Sequence, residues 1–507
     1  MLPINWLDAG WCALETGVSI RKLIFAEEKK ELGLPPETAS PLSTPSQQKV
    51  APDEPRAGYG LRRHVLGPWE TLAQSVSAIA PTATPAMTIP LVFALAANGT
   101  WLVYAFATLA VTLVGLVIGC FGRRSASPGS LFVYTTQSLP GWAASIAGWA
   151  LLLAYVATAG SVAAGFFNYA NVLLHAWLRL GASPALLISV AVIASGAMAF
   201  RDIKLSAEMM LWMEAASVSC IAVILTLIVW RHGLHPDWEQ LRLKGASGTG
   251  IRLGLVLALF SFVGFESATT LGAEAREPLK TIPRAVLQCA LGCGAFFVLC
   301  TYAEVLGFRP VSERLDQAAA PLHTLANQAS AGALGTVLGT VVDVGAMMSM
   351  FACVLACITA ASRVLMLMSH RGLAHRTLSR THARNETPHW AVLVTAASTL
   401  IPTVALALRG VSAMDIYGWL GSLATYGFIT VYALVCVALP LHLRREERLG
   451  AGVLLLSLAG AAAMVLALAG TLYPVPPAPY SWLPYMYLGY VVLGLGWYAV
   501  RPRLGVV

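Results

Sequence analysis

The stretch Ser77-Ala78-Ile79-Ala80-Pro81-Thr82-Ala83-Thr84-Pro85 sets two prolines four residues apart in the middle of an apolar run. Each proline removes a backbone N–H, and its ring crowds the preceding turn. A helix built on this run opens between them. If the run crosses a bilayer, the released carbonyls and amides find no water, and such backbone is tolerated only where protein buries it or where it lines a cavity. Two readings stand at this point: a proline kink packed against neighbours, or a helix opened around a ligand.

Composition decides that the run does cross a bilayer. Of 507 residues, 57% are hydrophobic and only 11% are Asp, Glu, Lys or Arg, with a mean hydropathy of +0.69. A water-facing surface carries roughly a quarter charged residues, so most of this surface faces lipid. Runs long enough for a ~30 Å hydrocarbon layer, about 20 helical residues, are expected at 71–97, 100–121, 142–172, 184–200, 205–230, 251–274, 284–308, 334–369, 389–408, 413–440, 450–472 and 483–501. These twelve predict an all-α integral membrane protein. Ahead of them, residues 1–66 read as a polar cytosolic tail, Pro- and Ser-rich and partly disordered, with one short amphipathic piece at its start. No signal peptide is evident. The core is expected over 67–440, and two peripheral helices with a short tail over 441–507.

The net charge of +8 would suit nucleic acid, but the basic residues sit in short groups between apolar runs and form no stripe. They read as topology signals. With the N-terminus inside, sixteen Lys and Arg fall in inner loops and the C-terminal tail, including Arg201, Lys204, Arg501 and Arg503, and eight fall outside. The positive-inside rule then puts both termini in the cytoplasm of a cell membrane protein. The stretch 231–250, rich in basic residues, runs against that count.

A second interruption lies in Phe260-Ser261-Phe262-Val263-Gly264-Phe265-Glu266-Ser267-Ala268. An ionisable residue inside a span is costly unless paired, protonated or wet, and is a functional hypothesis by default. Glu266 is that residue; a structural role, bonded to opened backbone, is the alternative. The two breaks lie five spans apart, at corresponding positions of two five-helix units. Such a pair points to an inverted-repeat transporter with its site at the midplane.

These residues resemble a known family. Gly264-Phe265-Glu266-Ser267, then Glu274, Glu277-Pro278 and Ile282-Pro283-Arg284-Ala285, are similar to the signature of the amino acid/polyamine/organocation (APC) superfamily permeases. Pro128-Gly129-Ser130 with Tyr134, and Ala361-Ser362-Arg363, add to it. The resemblance implies a LeuT-like five-plus-five inverted repeat followed by two peripheral helices, alternating access, and an amino acid or polyamine as cargo. It places Tyr155 where the family often sets an aromatic near the site; a helix-core role stands beside that.

On this reading the substrate meets Ala80, Thr82, Ala83 and Thr84 of span 1, Tyr155 of span 3, and Ser261 and Gly264 of span 6, with Phe260 as a lid. Gating or coupling falls to Glu266 and to Glu214 in span 5, with Thr359 and Ser362 as partners of Glu214, and H+ or Na+ as the coupling ion. Glu304 and Asp343 either line an outer vestibule or reach headgroups. Arg363 pairs with an inner acid or snorkels to water. No cofactor and no metal site is expected: the nine cysteines contain no CxxC, and no GKS/T, HExxH or GxSxG motif occurs. The same fold moving a polyamine, and a channel or membrane-embedded enzyme, are the competing functions.

Overall fold

The computed structural model describes residues 59–500 apart from 202, 234, 319, 331, 474, 476 and 477; the side chains of 203–206 are also outside the described set. The expected tail up to residue 58 and its amphipathic piece, with Arg501 and Arg503, lie outside the described residues, as does the Lys204 side chain.

Among the described residues the protein is helical, with one isolated β-bridge and no sheet. The helices are α1 (Pro68–Ile79), α2 (Ile89–Ala96), α3 (Thr100–Gly122), α4 (Ser130–Thr136), α5 (Gly141–Leu178), α6 (Pro184–Arg201), α7 (Ile203–Arg231) and α8 (Trp238–Leu241). They continue with α9 (Gly248–Phe260), α10 (Pro278–Gly307), α11 (Pro321–Ala329), α12 (Ala333–His370), α13 (His389–Leu408), α14 (Ala413–Arg445), α15 (Ala451–Leu472) and α16 (Leu483–Val500). Helix lies in every one of the twelve expected spans. Among the described residues, ten helical stretches are long and apolar enough to cross a membrane. The count is ten because Pro68–Gly122 joins the first two expected spans, and because α9 falls short of spanning length.

The first break falls where the prolines put it. α1 stops at Ile79, and Ala80 takes a left-handed conformation (φ 50°, ψ 71°). After Pro81 the chain resumes as a π-helical turn, Thr84–Thr88, before α2. α1 has 12 residues, about 18 Å at 1.5 Å per residue, so the break lies deep in the bundle.

The sixth expected span departs from the sequence reading. Helix ends at Phe260, residues 261–266 run as successive turns, and only a 3₁₀ segment, Ser267–Leu271, follows. Gly264 has φ +89°, a conformation L side chains avoid. Beyond it, Thr269 Oγ1 donates to Glu266 O (2.7 Å) and Thr270 Oγ1 to Ser267 O (2.6 Å). Hydroxyls that bond local carbonyls compete with the helical ladder. The expected helix over 251–274 therefore has one α-helical half.

α5 packs most extensively against α14 and α12, and α3 against α10; together they enclose both breaks. Residues near the start of the first span are docked and do not hang free. Leu66 is fully buried and pairs with Ala275, the Val65 and Leu66 amides donate to Glu274 O (2.9 and 3.0 Å), and Tyr59 meets His370 edge-on. We call this the near face. On the far face, Arg309 binds Asp237, Glu239 and Asn98, and Lys244 binds Glu239. The Gln240 amides and the Arg309 guanidinium hold the Asp237 carboxyl below its usual range although burial alone would raise it.

Candidate functional site

The two breaks touch. A Cβ at Gly264 would lie 2.8 Å from Ala78 Cβ and 3.3 Å from the Ala78 carbonyl, so glycine is what allows the α1 end and the 261–266 turns to close on each other. Ser267 Oγ donates to Gln74 O and the Ala268 amide to Ser75 Oγ, both at 2.9 Å. On its other side α1 is held by α12: Gln74 Nε2 donates to Ala356 O (2.9 Å) and Cys353 Sγ to Ala78 O (3.2 Å).

Between the breaks lies a cleft. Its lining includes Ala83 and Thr84 from the first break, Phe260, Ser261 and Val263 from the second, and Thr158, Cys353 and Tyr417 from α5, α12 and α14. Its volume is about 10 Å³, room for one water at most and far below the roughly 300–1,000 Å³ of ligand pockets. The cleft is closed by aromatic packing. Phe260 meets Tyr417 edge-on (5.5 Å between centroids) and fills the space a Cβ at Gly421 would need, at 2.7 Å. Tyr417 Oη bonds Thr88 Oγ1 (2.9 Å), and Tyr104 Oη bonds Ser261 Oγ (3.0 Å).

Of the residues expected to meet substrate, Ala83, Thr84, Phe260 and Ser261 line this cleft. Ala80, Thr82, Tyr155 and Gly264 are buried around it. Thr82 Oγ1 has no partner among the described residues, whereas the Ala83 amide is taken up by Ala80 O (2.8 Å). Tyr155 serves Glu266: it donates to Oε1 (2.7 Å), and Tyr432 of α14 donates to Oε2 (2.5 Å). Glu266 is completely buried. It therefore ties the second break to α5 and α14, and Tyr432, which the sequence reading missed, is half of that tie. Thr88, Tyr104 and Tyr417 were missed as well. Hydroxyls in apolar spans were the only signal for all four.

Glu214 is buried, and both of its oxygens accept from Ser349 Oγ of α12 (3.0 and 2.9 Å). This corrects the expected partners. Thr359 and Ser362 lie ten and more residues further along α12, about 15 Å away; Ser362 Oγ donates to Thr359 O (2.8 Å), and Thr359 Oγ1 has no partner among the described residues. Near the end of α12, Arg363 makes a bidentate pair with Glu274, both contacts at 2.7 Å and both side chains buried. Arg363 thus meets an acid and does not snorkel.

Two interrupted helices thus meet at one cleft inside a bundle of helices of membrane-spanning length. Residues 71–501 match the amino acid permease family, and the chain belongs to that family, whose members are transporters and not enzymes. It is similar to the branched-chain amino acid permease of Bacillus subtilis (23% identical over 69% of this chain and 75% of that one). It is similar also to the low-affinity putrescine importer of Escherichia coli (28% over 42% and 47%) and to cationic amino acid transporter 4 of Mus musculus (24% over 66% and 53%).

Proposed function

We propose that the protein is a secondary-active transporter of an amino acid or related amine, working by alternating access with the cleft between the breaks as its substrate site. The observation that carries this reading is that both interrupted helices end at one enclosed cleft, five spans apart in the chain. That spacing supports a five-plus-five inverted repeat followed by α15 and α16. The substrate carboxylate meets the Thr82 and Thr84 hydroxyls at the start of the π turn, where the helix dipole is positive. Its ammonium meets carbonyls of the 261–264 turns. Entry from the far side requires Phe260 to leave Tyr417 and Gly421; exit requires the near-face contacts around Glu274 and Leu66 to part. Glu266 links the two events, with Glu214 as a candidate for H+ or Na+ coupling. Similarity to a branched-chain amino acid permease and to a putrescine importer supports both kinds of cargo as ones to test.

Uptake into proteoliposomes from a panel of labelled amino acids and amines, with pH and sodium gradients varied separately, tests the reading. Ala83→Trp is expected to abolish both uptake and equilibrium substrate binding while leaving a monodisperse protein, because Ala83 lines a cleft that has no spare volume. Wild-type affinity in that variant would make the cleft a packed kink.

The orientation proposed is a cell membrane protein with both termini cytoplasmic, so the near face is inside. Thr249→Cys, exposed on the far face, is expected to react with an impermeant maleimide on intact cells, and Ala383→Cys, exposed on the near face, only after permeabilisation. The reverse pattern would invert the topology.

A further inference from the structure

Two buried carboxylates on the far side of the cleft have no role in the reading above. Glu304 of α10 is completely buried, and neither of its oxygens has a partner among the described residues; Asp343 of α12 is 1% exposed, and its Oδ1 has none either. The short helix α11 lies across both parent helices. A Cβ at Gly307 would touch Leu325 of α11, and one at Gly339 would touch the His323 ring. Glu304 is three residues from Gly307 and Asp343 four from Gly339, so both sit on the same helix faces one turn deeper, beneath α11. The π turn of the first break also packs against α11 and α10. Tyr169 Oη donates to Ala86 O of that turn (3.2 Å), and Tyr104 Oη bonds Ser261 Oγ (3.0 Å).

Nearby cations are engaged elsewhere. Arg309 is held by Asp237, Glu239 and Asn98, and Arg231 by Gln328 O (2.9 Å). His323 Nδ1 is 2.7 Å from Asp343 Oδ2, and that contact holds the imidazole above its usual range. Asp343 is thus half compensated and Glu304 uncompensated. A buried carboxylate left without a partner is costly.

We propose that Glu304, with Asp343 as the second acid beneath α11, forms an outer cation site for an alkylammonium group, so that the cargo carries a positive charge beyond that of its α-amino group. This deepens and rests on the transport reading. A cargo with two charged ends places one ammonium here and its other end in the cleft below, separated by the Tyr104–Ser261 contact.

The test is uptake of putrescine, arginine and leucine by wild-type protein and Glu304→Gln. The expected result is that wild type takes up putrescine or arginine, and that Glu304→Gln raises KM for it by about tenfold or more with any leucine uptake unchanged. Wild type that moves only leucine, or a variant with wild-type KM for the cationic cargo, would overturn this inference and leave the transport reading standing; wild type that moves nothing on the wider panel would overturn the transport reading. Where Glu304→Gln does not fold, carbodiimide modification of wild-type Glu304, located by peptide mass, should be slowed by putrescine and not by leucine. Equal modification with either would overturn the site.

Discussion

Arg363→Met is expected to cost about 3–5 kcal/mol of stability, the range for removing one partner of a buried ion pair. Glu274 would then be left buried and charged at a place where its own backbone carbonyl already accepts the Val65 and Leu66 amides. Most of that cost is desolvation of the abandoned carboxylate, so it is recoverable. The double replacement Arg363→Met, Glu274→Met should restore much of the lost stability, because two apolar side chains of similar length need no partner. Transport should remain impaired in the double variant, since the pair is what joins the second break to α12 on the near face. Thermal unfolding of the purified protein in detergent, set beside uptake, separates the two effects. A double variant no more stable than Arg363→Met alone would show that the pair holds the fold through something other than charge.

Glu266→Gln keeps the side chain's shape but leaves one carbonyl oxygen to serve two phenols. Either Tyr155 or Tyr432 loses its acceptor, and each of those bonds joins the 261–266 turns to a different helix. Losing one charge-assisted hydrogen bond is worth about 1.5–3 kcal/mol, so the transport rate should fall by about tenfold or more by the same arithmetic. Substrate binding should persist, because Glu266 does not line the cleft. Tyr432→Phe, which removes one bond and leaves the carboxylate, should give a smaller loss in the same direction. Wild-type rate and pH profile in Glu266→Gln would make the residue structural, and Glu214→Gln would become the variant to follow.

Much of the fold was legible because lipid and backbone impose simple rules. Apolar runs of spanning length mark helices whatever their neighbours, and Pro81 and Pro85 open a helix wherever they stand together. Glu266 was legible for a related reason, since a carboxylate in such a run needs an explanation. What it needs could not be read. Tyr155 and Tyr432 lie 111 and 166 residues away in the chain, and a tyrosine in a span looks the same whether its hydroxyl holds a carboxylate or a carbonyl. The same limit misdirected the partners of Glu214, because Thr359 and Ser362 share a helix with Ser349 and only packing chooses among them. The second half of the sixth expected span failed for a local reason. Its apolar character fits a helix, but Gly264 and the hydroxyls of Thr269 and Thr270 give the backbone other bonds to make.

The π turn over Thr84–Thr88 bears on how this sequence is free to change. A π turn closes its bond one residue later than an α turn, as Ile89 N to Thr84 O does here, so it is geometrically a one-residue insertion inside a helix. Deleting any one residue of the five would let the chain heal into ordinary α-helix at little cost to its hydrogen bonds. The chain on either side would roughly keep its phase, because the wide turn had absorbed the extra residue; what would be lost is the widened turn itself, with the spacing that lets Thr84 line the cleft and Thr88 bond Tyr417. Point substitutions can therefore retune this turn, but a change of length cannot, and related chains that keep the cleft are expected to differ here in side chains and not in spacing.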